Sequence, residues 1–212
     1  MSYINIKNYN KTIKKRPILI DINLDIEKGN IYGFLGRNGC GKTMLFRAIC
    51  GLIKPSSGEV LIENKILNKD ISFPQSLGVL IESPGFWSSY TGFENLKTLS
   101  LIKNTISNYE IEQTMSRVGL SPKDSRTYKK YSLGMKQRLG IAQAIMESPE
   151  LIILDEPTNS LDEQSVELVR NILLEEKKRG ATILIASHNK EDIEVLADYQ
   201  FIMDNGKIIN NF

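Results

Sequence analysis

The stretch that most constrains this chain is Gly36–Thr43, Gly-Arg-Asn-Gly-Cys-Gly-Lys-Thr, which meets the pattern G-x-x-x-x-G-K-[ST] at every fixed position. The apolar run Ile31–Leu35 precedes it, and a helix-forming stretch, Lys42–Cys50, follows and is stopped by Gly51. Strand, glycine-rich loop and helix in this order point to an α/β fold. The glycines let consecutive backbone N–H groups turn inward around phosphate oxygens, and the helix aims its positive end at the same anion. In that reading Lys42 reaches the β- and γ-phosphates, and Thr43 offers its hydroxyl to Mg²⁺.

At 212 residues the chain can bury a full core as one domain with a subdomain. A formal charge of +2 does not call for a nucleic-acid partner, and Lys11 to Arg16, Lys129–Lys130 and Lys177 to Arg179 read as solvated basic faces. Met1 to Thr12 lacks an apolar signal segment and no 18 apolar residues run together, so neither secretion nor a membrane span is expected. Two cysteines, Cys40 and Cys50, suit a reducing, cytosolic compartment. A thiol at Cys40, inside the loop, predicts activity that alkylation inhibits and nucleotide protects.

Tyr3, Ile4 and Ile6 start a strand, Ile18 to Ile26 alternates apolar and polar residues, and Lys28-Gly29-Asn30 turns into Ile31–Leu35. Gly58–Glu63 and Ile66–Leu67 read as a hairpin across Asn64-Lys65, and Gly78–Ile81 as another strand. Thr91-Gly-Phe-Glu94 and Ser107-Asn-Tyr-Glu110 are capping boxes, predicting helices near Phe93–Ile102 and Tyr109–Val118. They open a helical insertion, about residues 84–147, whose last helix is Leu133–Glu147. Strands Leu151–Leu154 and Thr182–Ala186 are continuous apolar runs, as buried parallel strands are. Helices are expected over Glu163–Arg179 and Lys190–Leu196, and a hairpin across Asp204-Asn205-Gly206.

Asp155 and Glu156 end an apolar strand, where ligands of open α/β sheets bind. They suit a carboxylate on Mg²⁺ and a carboxylate that polarises an attacking water, or they only cap the next turn. His188, the single histidine, follows strand Thr182–Ala186 at the same sheet edge and suits a γ-phosphate contact, although a lone histidine also serves structure. Ser132-Leu133-Gly134 opens a helix and presents either a second anion-binding N-terminus or an ordinary serine cap.

Taken together, these motifs resemble the nucleotide-binding subunit of an ATP-binding-cassette transporter over essentially the whole chain. The signature segment corresponds to Ser132, Leu133, Gly134 and Met135, preceded by Tyr131 and followed by Lys136-Gln-Arg138. The second Walker motif corresponds to Leu151–Glu156, the D-loop to Ser160, Leu161 and Asp162, and the switch histidine to His188. The resemblance implies a RecA-like P-loop NTPase core with an antiparallel β subdomain, about residues 1–83 and 148–212, and an α-helical signature subdomain. It further implies ATP and Mg²⁺ as cofactors, with Gly36, Arg37, Asn38, Gly39, Cys40, Gly41, Lys42 and Thr43 on the nucleotide, Glu156 and His188 catalytic, and Thr43 and Asp155 at the metal. It implies a head-to-tail ATPase dimer in which Ser132 and Gly134 meet the partner's nucleotide, a transmembrane permease, and a place on the inner face of the cell membrane.

Several positions depart from the family pattern. Leu133 and Met135 replace a glycine and a glutamine of the signature, and Glu82 stands at the glutamine-loop position, where it becomes a third candidate metal ligand. Ile13 aligns with the aromatic residue on which adenine stacks, which predicts weak nucleotide discrimination; Tyr9 is either a substitute platform or a core residue. Phe86, Trp87 and Tyr90 fall where the family docks its permease, or they pack locally. Ser76–Leu96 and the signature helix resemble a subgroup of exporters for bacitracin and lantibiotic self-protection, implying export of a peptide antibiotic or another amphiphile. The alternative is a soluble cassette ATPase acting on DNA or ribosomes, which such a short chain without a coiled-coil insertion disfavours.

Overall fold

The computed structural model describes residues 2–211. Two sheets organise it. Strands β1 (Ile4–Ile13), β2 (Arg16–Ile26), β4 (Ser57–Ile62) and β5 (Lys65–Ile66) form an antiparallel sheet in the order β2-β1-β4-β5. The second sheet has six strands. These are β3 (Ile31–Leu35), β6 (Leu77–Leu80), β7 (Leu151–Asp155), β8 (Thr182–Ser187), β9 (Tyr199–Asp204) and β10 (Lys207–Asn211), in the order β10-β9-β3-β8-β7-β6. Its five pairings run parallel except the β9–β10 hairpin.

The apolar runs explain why this sheet is central. Side chains alternate across a strand, so a run with no polar interruption feeds a core on each face. Leu151 and Ile153 of β7, with Leu184 and Ala186 of β8 and Phe34 of β3, enter the core shared with the antiparallel sheet and α1 (Lys42–Ile49). Ile152, Leu154, Ile183 and Ile185 enter the opposite core. That second core is closed by α2 (Gly92–Ser100), α3 (Asn108–Arg117), α4 (Leu133–Ile145), α5 (Glu163–Lys178) and α6 (Lys190–Leu196).

Local chemistry sets the ends of these elements. Thr91 and Ser107 form complete capping boxes with Glu94 and Glu110. The β4–β5 turn falls on Glu63-Asn64, both with positive φ, one residue earlier than expected, because Lys65 pairs with Ile62. The helix α4 lies tight on β6: a Cβ at Gly78 would stand 1.7 Å from the Ala144 carbonyl oxygen, so only glycine permits this approach. The close seat fixes α4, with Ser132 at its start, against the parallel sheet.

Candidate functional site

The carboxyl ends of β3, β7 and β8 converge on one edge of the central sheet, and the expected site residues follow them. A cleft of about 640 Å³ opens there, lined by the loop residues Asn38, Gly39, Gly41, Lys42 and Thr43, by Glu82, Asp155 and Glu156, and by Leu133 and Gln137 of α4.

The loop is wound by two left-handed glycines, Gly39 at φ 80° and Gly41 at φ 115°. Gly41 is the N-cap of α1 and supplies no side-chain hydrogen bond, so the first N–H groups of that helix have no capping acceptor. Lys42 is 5% exposed and its Nζ donates to the carbonyls of Gly36 and Arg37 at 2.6 and 3.4 Å. Thr43 Oγ1 donates to Asp155 Oδ2 at 2.5 Å. Burial pushes the Asp155 carboxyl above its ordinary range; Thr43 and Lys42 counter this, while Glu156 and Glu82 add to it.

Glu156 is strained, with φ 53°, and its side chain is only 18% exposed. Its N–H donates to the Ala186 carbonyl at 2.8 Å. One carboxylate oxygen, Oε2, lies 2.8 Å from His188 Nδ1 and accepts from the His188 N–H at 3.3 Å. The other, Oε1, is buried without a hydrogen-bond partner, with Lys42 Nζ 3.6 Å away. The structure therefore brings Lys42, Thr43, Asp155, Glu156 and His188 into one constellation.

Other expected residues lie elsewhere in the cleft or outside it. Glu82 lines the cleft, but its Oε1 accepts from Arg47 at 2.9 Å and its side chain is 60% exposed, so its carboxylate is engaged by α1. Ser132 is the N-cap of α4 and accepts from the Met135 N–H; Leu133 is exposed, and Gly134 sits beside the Ser160 carbonyl. Asp162 caps α5 through the Ser165 N–H, and the Ser165 hydroxyl, followed by that N–H, holds its carboxyl below the ordinary range. Leu161 packs against the core beside α4. Ile13 is exposed at the tip of the β1–β2 hairpin and does not line the cleft; Ile18, on the next strand, does. Tyr9 is a core residue with its hydroxyl on the Ile53 carbonyl, not a platform.

Cys40 lies deeper than a reactive loop thiol needs. It is 7% exposed and packed in the core, with its sulfur so close to Gly36 that a Cβ there would stand 2.6 Å from it. The neighbours of a loop thiol decide its accessibility, and these neighbours shield it. Cys50 is also buried, which pushes its thiol up to about 12.

Three contacts around the Glu156 loop escape sequence reading. Gln137 Nε2 donates to the carbonyls of both Glu156 and Pro157, at 3.0 and 3.1 Å. Buried Asp192 accepts from Thr158 at 2.6 Å and from Arg170 at 2.7 and 3.1 Å, tying the segment after Glu156 to α5 and α6. Asn95, wholly buried, holds the Trp87–Thr91 loop through its backbone. In that loop Phe86 packs edge-on to Tyr128, whereas Trp87 and Tyr90 stack on each other and stay exposed. A glutamine three residues beyond Gly134 on one helix face was the signal available for Gln137.

The donors suit a hard cation. Thr43 and Asp155 offer oxygen alone, and among the described residues no three His, Cys, Asp or Glu side chains converge. A Mg²⁺ ion matches that set, since it takes one or two carboxylates and completes its shell with water and substrate phosphates.

The chain is similar to known proteins over nearly its whole length. Residues 19–159 match the family model described as ABC transporter. The chain is 52% identical over 205 residues to the ABC transporter ATP-binding protein YybJ of Bacillus subtilis (strain 168), covering 97% of this chain and 94% of that one. It is 39% identical over 208 residues to the bacitracin transport ATP-binding protein BcrA of Enterococcus faecalis, covering 97% and 68%. It is 37% identical over 207 residues to the lantibiotic transport ATP-binding protein SrtF of Streptococcus pyogenes, covering 97% and 89%. Among solved structures, the dimeric ATP-binding cassette MJ0796 with ADP and Pi shares the fold at a TM-score of 0.90 and 21% identity, covering 99% of this chain and 97% of that one. The cassette cbiO1 from Clostridium perfringens, part of the transporter complex cbiONQ, gives 0.83 at 27% identity, covering 99% and 88%. Among the described residues no helix is long and apolar enough to cross a membrane. The chain belongs to the ABC transporter ATP-binding family and is an ATPase subunit of a transporter.

Proposed function

We propose that this chain hydrolyses ATP to power a separate membrane permease that exports a peptide antibiotic or a similar amphiphile. The observation that carries the hydrolytic half is the Glu156 carboxylate. His188 holds Oε2 at 2.8 Å, while Oε1 is buried beside Lys42 with no hydrogen-bond partner. A buried acceptor without a donor is costly unless something supplies one. Here a water held between Oε1 and a γ-phosphate supplies it, and the carboxylate takes the proton as the water oxygen attacks phosphorus. The bond from the γ-phosphorus to the β,γ-bridging oxygen breaks, and ADP departs with that electron pair.

Lys42 exchanges the Gly36 and Arg37 carbonyls for phosphate oxygens, and the uncapped N–H groups of α1 face the same anion. Charge neutralisation on the phosphates is the chemistry Mg²⁺ supplies when bound, with Thr43 and Asp155 as the residues that would hold it. Glu82 joins that set only by giving up Arg47.

The cleft is closed by Ser132 and Gly134 of a second copy, arranged head to tail, as the family resemblance implies. In this reading residues 84–147 form the moving subdomain, with the exposed Trp87–Tyr90 stack as its contact to the permease and the inner membrane surface as its place of work. The bacitracin and lantibiotic transport relatives support the cargo class.

Glu156→Gln tests the proposal. It should bind ATP normally, hydrolyse it at under about one hundredth of the parental rate, and form an ATP-dependent dimer in size-exclusion chromatography. The trapped dimer should also retain a polytopic membrane protein from solubilised membranes of the source cell. Parental hydrolysis, or a monomer at saturating ATP, overturns the mechanism; a trapped dimer that retains no membrane protein overturns the permease assignment.

A further inference from the structure

The geometry points to Gln137 as a positioning residue that sets the catalytic glutamate from the signature helix of the same chain. The inference rests on the reading of Glu156 as the base.

Glu156 sits at φ 53°, a conformation that a non-glycine residue keeps only when its surroundings over-determine it. The next residue, Pro157, has no N–H, so one brace that another residue would provide is missing. The restraint comes from three directions. The Glu156 N–H is held by β8 through Ala186, and its carbonyl also accepts from Asn159 at 3.3 Å within its own turn. The third restraint comes from α4, where the two N–H groups of one Gln137 amide serve the two successive carbonyls of Glu156 and Pro157 at 3.0 and 3.1 Å.

Two successive peptide planes, each held at its carbonyl, resist rotation, and rotation about Glu156 is what would swing its carboxylate away from His188 and Lys42. Gln137 is the fifth residue of α4, a little over one turn from Ser132, and it reaches across to a strand end 19 residues later in the chain. The docking of α4 and the aim of the base are thus one mechanical unit. Any displacement of the signature end of α4 relative to β7 is transmitted to Glu156 as lost hydrogen bonds.

Gln137→Met keeps the length and packing of the side chain but donates nothing, and Gln137→Glu places acceptor oxygens against two carbonyls. Gln137→Met should lower kcat about 10- to 100-fold while KM for ATP stays within about two-fold, since a small misplacement of a catalytic group acts on the chemical step. Gln137→Glu should fall at least as far. A second measurement separates positioning from a general loss of structure: in single-turnover assays, Gln137→Met should cost almost nothing in a Glu156→Gln background, because the group it aims is gone. The same fold-loss in both backgrounds, or parental kcat in Gln137→Met, overturns the inference. Parental kcat in Glu156→Gln alone overturns the assignment of the base instead.

Discussion

Two helix N-termini face the cleft and are built in opposite ways. The helix α1 starts at a left-handed glycine, with no side-chain cap and no acidic residue in its first turn. The helix α4 starts at Ser132, whose hydroxyl already accepts from the Met135 N–H. The other four α-helices resemble α4, being capped by Thr91, Ser107, Asp162 and Asn189. A chain that caps five helices itself and leaves one open assigns the donors of that one to a ligand. The difference fits the proposed roles, with α1 as the primary phosphate holder and α4 as a helix that adds contacts around a cap it already has.

The strongest way to break this comparison is to alter the open terminus. Gly41 combines φ 115° with close neighbours, since a Cβ would stand 3.2 Å from Leu19 Cδ2 and 3.4 Å from the Ile18 carbonyl oxygen. Gly41→Ala therefore costs of order 1–3 kcal/mol in the loop conformation that ATP requires. Calorimetric titration should show ATP binding weakened about 10-fold or more in a protein that still folds. Undiminished binding would show that the wound loop is not what holds the phosphates.

A smaller effect is expected at the capped terminus. Ser132→Ala removes the α4 cap and should lower stability by about 1 kcal/mol in denaturant titration. ATP affinity of the single chain should change less than two-fold, because Ser132 serves its own helix first. Loss of affinity on the scale of Gly41→Ala would erase the distinction between the two termini.

Much of this architecture was legible because it is local. The loop pattern, the doubly buried runs of β7 and β8 and the two capping boxes each span a few residues, and short-range sterics and hydrogen bonding decide them. What was not legible depends on side chains meeting across long separations. Arg47 and Glu82 are 35 residues apart, and their ion pair is set by how α1 and the end of β6 sit together. Gln137 looks like any polar helix residue until β7 brings the Glu156 carbonyl to it. The burial of Cys40 was not legible for a similar reason: the winding of the loop turns the thiol into the core, and the spacing of the glycines does not reveal that direction. The place of Ile13 at an exposed hairpin tip, with Ile18 on the next strand lining the cleft, is likewise set by how the hairpin folds back.

The gentlest test compares the acid response of capped and uncapped helices. Glu94 accepts from the Thr91 N–H and hydroxyl at 2.8 and 3.0 Å, and Glu110 from those of Ser107 at 2.7 and 2.8 Å. These backbone bonds, with the hydroxyl bonds next, hold both carboxyls below the ordinary glutamate range. A depressed native pKa contributes stability that is present above the unfolded value and disappears as pH falls through the native one. The first turns of α2 and α3 should therefore loosen in that acidic window, while the first turn of α1, with no acidic residue, has no such contribution to lose. Both carboxylates are fully exposed, so the effect is small and weakens with salt. Carboxyl-carbon NMR titration should place both midpoints below that of an unstructured glutamate, and Thr91→Ala and Ser107→Ala should each raise the midpoint of its own partner alone. Midpoints that ignore these substitutions would mean that the capping boxes do not hold in solution, and α1 would then lose its standing as the exceptional helix.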